Sequence, residues 1–372
     1  MFDYLDWRGD LSFESDPLNA IDLLILATLS YCPMERLHGV FISSTPTQLT
    51  AELYPPDAAF RNDSEKQRCQ LWKAASESER FGKMQVQAFA YHFDPAEEKQ
   101  FSAVLFQLDE NTAAAAFRGT DSTVVGWKED FNMGFESPVP AQTDAVEFLT
   151  EAARRYDRLY TCGHSKGGNL ALYAAVRADA SVRAKVQGVY SFDGPGLDDQ
   201  TADSPEYEEI SSRIHSFVPE SSIVGMLLDY HNEYTIVDSD GMGILQHNPF
   251  LWHIRGPRFQ TRASLTRSGR YADRTLHDFL AQCTPEERQV MVETLFELVA
   301  ATGAQRVKEI PVGLLKNFGA VRETLKKVPE QDQLAEKGVP HAGAGRRQQS
   351  GRAAGHFGKR RKSDHRAVKG FV

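Results

Sequence analysis

Residues 159–175 read LYTCGHSKGGNLALYAA. They place an apolar strand, a tight turn and an apolar helix in immediate succession. The turn Gly163-His164-Ser165-Lys166-Gly167 has the form G-x-S-x-G, the pattern of a serine exposed on a strained strand-to-helix elbow. The constraint is steric. Side chains at either glycine position would collide with the neighbouring strand or helix, and the helix N-terminus aims amide groups and its positive dipole end at the serine. A serine N-cap with two packing glycines would use the same letters. The two readings differ in whether the rest of the chain supplies partners for the hydroxyl.

The surrounding pattern predicts the frame. Met84–Phe93 (MQVQAFAYHF) alternates as a half-buried strand, and Phe101–Leu108 follows across a charged turn as its hairpin partner. Thr112–Phe117 (TAAAAF) reads as a buried strand. A helix ending near Arg155, the strand Arg158–Cys162, a helix from Lys166 to about Ala178 and the strand Val186–Phe192 come next. Arg213–Val218 and Glu233–Val237 are further strands, and helices return at Thr275–Gln282 and Pro285–Thr302. Short apolar strands alternating with helices predict an α/β fold, a mostly parallel sheet covered on both faces with an antiparallel hairpin at one edge.

Composition narrows the function. The 372 residues are 41% hydrophobic and 25% charged, as in an ordinary globular protein. The most apolar stretch, Ala20–Tyr31, is too short to span a membrane and reads as a buried helix. It follows an acidic start, MFDYLDWRGD, that lacks the basic end of a signal peptide, so we expect a cytoplasmic protein. Cys32, Cys69, Cys162 and Cys283 are scattered, which argues against a zinc site or a disulfide framework.

The net charge of −9 is unevenly spread. Residues Lys337–Val372 hold ten Lys/Arg against one Asp, leaving 32 Lys/Arg and 50 Asp/Glu in the rest. So acidic a body is a poor nucleic-acid surface. The Gly- and Arg-rich tail is expected to be disordered, either solvated against the acidic body or in weak contact with an anionic surface.

A serine hydroxyl needs a base to take its proton and an acid to orient that base. In hydrolase order these follow the serine. Two acids are well placed. Asp193 ends the strand VQGVYSF, and Glu220 ends the next one, in FVPESS. Parallel strands end on one edge of the sheet, so either carboxylate should emerge near Ser165, and Asp193 is favoured. Among His231, His247, His253 and His277, His247 follows the last strand across a Gly-rich loop, where a base belongs. His231 precedes a strand and His277 lies within a helix. For a developing oxyanion, the Lys166 amide supplies one donor. The turn FRGTD supplies another through the Thr120 amide, with the Thr120 hydroxyl as a third.

The segments AAFRGTDSTVVGWKEDF, GHSKGGNLALYAA and SFDGPG resemble, in order and spacing, three signatures of the fungal-type (class three) triglyceride lipases. That resemblance covers roughly residues 80–260. The chain before the basic tail, including DYLDWRGDLSF and VPESSIVGMLL, resembles an uncharacterised bacterial family of lipase-like α/β-hydrolases. The resemblance implies an α/β-hydrolase fold, Ser165 as nucleophile, and Thr120 and Lys166 as oxyanion donors. It also exposes a departure. The lipases carry their aspartate before Ile-Val-Pro, where this chain has Ser222-Ile223-Val224-Gly225. Glu220 or Asp193 then takes over, or the site has lost a strong acid. Lys166 replaces the usual leucine after the nucleophile, and a cation there would either favour an anionic substrate or repel a greasy one.

The expected organisation is a helical segment over 1–80 packed on the core, a hydrolase core over 81–305, a helical extension over 306–336 and the basic tail over 337–372. The expected reaction is hydrolysis of a carboxylic ester, with a small acyl ester or lipid as substrate and no metal or cofactor. The loops at 121–142 and 196–212 are the expected lid or specificity elements. A non-catalytic scaffold that binds a ligand or protein is the competing class, motivated by the missing aspartate.

Overall fold

The computed structural model describes residues 1–37, 43–56, 59–60, 62–121, 123–226, 234–267, 269–270, 282–306, 309–310 and 317. Most of 306–336, all of 337–372, His231, His277 and all but the last residue of Thr275–Gln282 lie outside these. So does the first residue of Glu233–Val237.

Seven strands form one sheet: β1 (Gln85–Asp94), β2 (Lys99–Gln107), β3 (Thr112–Phe117), β4 (Arg158–His164), β5 (Val186–Phe192), β6 (Ile214–Pro219) and β7 (Tyr234–Val237). They lie side by side in chain order. β2 runs antiparallel to its neighbours β1 and β3, and β3 to β7 run parallel. The small-residue run TAAAAF is a strand because it is buried along its whole length between β2 and β4.

This order decides how the faces are covered. Parallel strands joined in sequence by right-handed crossovers place every crossover helix on the same face. That face is closed by α7 (Pro140–Ala153), α8 (Lys166–Arg177) and α11 (Pro205–Ile210), and it takes Ala103, Leu105, Ala113, Ala115 and Phe117 from the strands. The alternate residues Val104, Phe106, Ala114, Ala116 and Cys162 point to the other face. No crossover helix is left to cover them.

The N-terminal segment does so instead. It contributes α1 (Phe2–Arg8), α2 (Ala20–Leu29), α3 (Pro46–Leu53), α4 (Asp63–Glu77) and α5 (Glu79–Gly82). Ile21 to Leu29 are buried without exception, because α2 lies between the sheet and the helices outside it. Asn19 caps α2, accepting from the Ile21 amide at 2.9 Å, and the α2 residue Asp22 forms a buried ion pair with Arg80 at 2.6 Å. Truncating one of its leucines to alanine would cost about 2–5 kcal/mol. Between the first parallel strands lie α6 (Val124–Asn132), with α9 (Ala180–Arg183) and α10 (Asp199–Ala202) in the later crossovers and α12 (Pro285–Ala301) following the sheet. Among the described residues no helix is long and apolar enough to cross a membrane. The sheet and its two covered faces are those of an α/β-hydrolase fold.

Candidate active site

The parallel register brings three strand ends to one edge. Phe117 pairs with Gly163, and His164 pairs with Phe192. One residue further along each strand, Arg118, Ser165 and Asp193 leave the sheet together.

Ser165 stands between β4 and α8 with φ 60° and ψ −136°. A positive φ is costly for a residue with a Cβ and is held only where the surroundings enforce it. Here the enforcement is close packing. A Cβ at Gly163 would lie 2.0 Å from the Gly167 carbonyl oxygen, and one at Gly167 would lie 2.1 Å from that of Phe117. The two glycines let β3, β4 and α8 approach until the serine is pushed out of the sheet edge.

Asp193 also has a positive φ, 49°, and is buried. Its Oδ2 is 2.6 Å from His247 Nδ1. Its Oδ1 accepts from the Ser222 hydroxyl and from the Gly225 amide at 3.2 Å. The acid expected before Ile-Val is therefore a serine whose hydroxyl reaches the carboxylate offered by the neighbouring strand. Glu220 is placed elsewhere. Its carboxylate lies 3.6 Å from Arg262 Nε, so the alternative acid faces an arginine rather than the imidazole. His253 pairs with Asp238 and Asp240 at 3.2 and 3.1 Å.

His247 ends a 3-10 turn, Gly243–His247, ten residues beyond the end of β7. It lines a cavity of about 420 Å³ with Ser165, Thr120 and His164. No hydrogen bond joins Ser165 Oγ to His247 among the described residues. Such contacts often tighten only when substrate is bound.

His164, inside the G-x-S-x-G turn, was not singled out by sequence reasoning. Its Nε2 lies 2.7 Å from the His247 carbonyl oxygen, and its ring centroid is 4.5 Å from that of His247. A carbonyl oxygen only accepts, so Nε2 carries the proton. Burial, and then the nearby His247, hold this imidazole well below the usual histidine range and keep it neutral. The Tyr31 hydroxyl donates to the His164 carbonyl at 3.1 Å. The sequence signal was only a histidine next to the serine, and its partner lies 83 residues away.

Two expectations about the oxyanion donors change. The Thr120 hydroxyl donates to the Asp130 carboxylate, so it is not a spare third donor. The backbone amides remain, and that of Lys166, as the first helical residue, has no acceptor within α8. The Lys166 ammonium does not enter the cavity. It is buried beneath the elbow, donating to the Gln100 carbonyl and to Glu129 Oε2, each at 2.8 Å. Glu129 is itself fully buried and accepts from the Gln100 and Ala141 amides at 2.9 Å. The expected influence of this cation on the substrate is thus replaced by a structural role. Burial raises Asp130 to about 6, against the opposing pull of Lys166 and the Thr120 hydrogen bond.

Among the described residues, the cavity wall takes none from the two loops expected to form a lid. The first carries α6, anchored through Glu129, and the second carries α10 and α11, with Tyr207 and Ile210 buried. The wall is instead closed by Ile244, Leu245, Pro249 and Phe250 on either side of His247. Ile244 and Leu245 are 55% and 64% exposed, leaving an apolar rim beside the imidazole. Among the described residues no cluster of His, Cys, Asp or Glu is arranged to hold a metal.

Over residues 75–297 the sequence matches the model of the Mbeg1-like family. Among solved structures, a fungal lipase in complex with an inhibitor is 17% identical with a TM-score of 0.37, covering 59% of this chain and 78% of the lipase. M37 lipase is 14% identical with a TM-score of 0.34, covering 56% of this chain and 68% of that one. No curated protein matches. The family match spans more than half of the chain, from the end of α4 into α12, and takes in Ser165, Asp193 and His247: the chain belongs to the Mbeg1-like family.

Proposed function

We propose that the protein is a serine-dependent hydrolase of carboxylic esters. The observation that carries this reading is the 2.6 Å contact between Asp193 Oδ2 and His247 Nδ1, with His247 and a strained Ser165 on the wall of one cavity. With Nδ1 held by the carboxylate, the Nε2 of a neutral His247 carries the lone pair that accepts a proton.

In this reading Ser165 Oγ attacks the acyl carbonyl carbon as its proton passes to His247 Nε2. The carbonyl oxygen becomes an oxyanion facing the amides of Thr120 and Lys166. Collapse of the tetrahedral intermediate breaks the ester bond, and His247 returns the proton to the departing alkoxide. Water then attacks the acyl-enzyme with the same base, releasing the acid and restoring Ser165. The Asp193 carboxylate orients and stabilises the imidazolium. Ile244, Leu245 and Phe250 give an apolar lodging for an acyl chain. The carboxylate of Asp193 at His247 counts against the non-catalytic scaffold, a reading motivated by the missing aspartate.

The test is labelling of the purified protein with a fluorophosphonate. Wild type should label at Ser165 and Ser165→Ala should not. A folded wild-type protein that stays unlabelled would count against an activated nucleophile.

A further inference from the structure

The cavity contains a cation that the proposed chemistry does not use. Arg68 lies on α4 and lines the same wall as Ser165 and His247. Ser64, four residues earlier and on the same helical face, lines it too. The Arg68 guanidinium sits over the Tyr31 ring, 5.5 Å from its centroid. Tyr31 in turn touches the reaction centre at two points. Its hydroxyl donates to the carbonyl of His164, next to the nucleophile. It also packs against the oxyanion turn so tightly that a Cβ at Gly119 would lie 2.2 Å from its oxygen. One aromatic ring therefore separates the guanidinium from the serine elbow.

Among the described residues no carboxylate pairs with Arg68. Other arginines near this region do have acidic partners: Arg80 meets Asp22 at 2.6 Å, and Arg118 lies 3.9 Å from Glu35. Glu65, three residues before Arg68, is 4% exposed and forms no ion pair with it. A guanidinium held at a cavity wall, half withdrawn from water and with no carboxylate partner among the described residues, is a site for an anion. Its planar fork matches carboxylate or phosphate oxygens, and the Ser64 hydroxyl adds a donor.

Resting on the esterase reading, we infer that the substrate is an acyl ester carrying a carboxylate or phosphate close to the scissile bond, with Arg68 and Ser64 binding that group opposite the apolar wall of Ile244, Leu245 and Phe250. The anionic preference that a cation at Lys166 would have given is supplied from α4 instead. Arg68 acts on binding and specificity and takes no part in bond making.

Two matched pairs of esters test this. One compares p-nitrophenyl butyrate with the p-nitrophenyl monoester of succinic acid. The other compares a monoacylglycerol with the lysophosphatidic acid of the same chain. The readout is the ratio of kcat/KM for the anionic over the neutral member. Wild type should favour the anionic member of at least one pair, and the pair that responds identifies carboxylate or phosphate. Arg68→Gln should lower that ratio roughly tenfold to a hundredfold, as expected for loss of a charged hydrogen bond. Arg68→Lys should keep most of it. A thermal melt of each variant checks folding. Separately, binding of butylphosphonate to Ser165→Ala should be lost in Ser165→Ala/Arg68→Gln. A ratio unmoved by Arg68→Gln, with equal phosphonate binding by the two serine variants, overturns the anion site while leaving the esterase reading intact. Arg68-dependent phosphonate binding with no ester turned over leaves the anion site standing and removes the esterase.

Discussion

Ser222 donates its hydroxyl to the same carboxylate that Asp193 presents to His247. Two strand ends thus share one acid site, β5 giving the charge and the loop after β6 giving a hydrogen bond. The Gly225 amide completes the set at 3.2 Å. Removing the carboxylate and removing its support should differ greatly in effect. Asp193→Asn should lower kcat by about 10⁴, because the amide cannot hold the reactive imidazole tautomer. Ser222→Ala should cost only about tenfold, the scale of one hydrogen bond to a charged group. Steady-state kinetics on any turned-over ester measure both, and equal losses would show that Ser222 does more than support the acid.

Lys166 and Glu129 are both fully withdrawn from water, 2.8 Å apart. Breaking such a pair strands a charge, which costs about 3–5 kcal/mol. Lys166→Met should therefore destabilise the protein by that amount in denaturant unfolding. Lys166→Met with Glu129→Gln should recover part of the loss. A single variant as stable as wild type would refute the assignment of Lys166 to the framework.

Asp130 gives a pH signature. Its folded pKa of about 6 lies above the ordinary 3.8. Between these values the folded state holds more protons than the unfolded one, so this group's contribution falls as pH rises and is flat above the folded pKa. Asp130→Asn mimics the neutral acid. From about pH 4 to about pH 7, its unfolding free energy should gain on wild type by about 2–3 kcal/mol. Parallel urea titrations at the two pH values read this directly. A difference that stays constant with pH would show that Asp130 titrates normally.

His164 grips the backbone of His247 through a single protonated nitrogen. Glutamine can place an amide N–H near that position and phenylalanine cannot. His164→Gln should retain most of kcat, and His164→Phe should lose about tenfold with KM little changed, because the base rather than the substrate is misplaced. Slower fluorophosphonate labelling of the phenylalanine variant gives an independent readout.

The frame of this molecule was legible wherever a local pattern carries it. The elbow, the small-residue strand Thr112–Phe117 and the placement of His247 ten residues past β7 all follow from strand ends and turn chemistry. What escaped depends on which way a side chain turns after its backbone is placed. Asp193 and Glu220 end adjacent strands and look equivalent in sequence, yet one meets an imidazole and the other Arg262. Lys166 follows the nucleophile, but its long stem carries the ammonium back under the elbow to Glu129. The cavity wall drew on α4 and on residues beside His247, far from the serine in sequence, so no local motif marked Arg68 or Leu245.

The sequential strand order also sets a schedule for folding. Crossover helices such as α8 are made beside the strands they cover, whereas α2 waits for β3 and β4, about 85 and 130 residues later in the chain. The apolar run Ile21–Leu29 therefore leaves the ribosome long before the surface that buries it exists. During synthesis this stretch is an exposed apolar segment of the nascent chain, of the kind that chaperones shield until its partner surface is made.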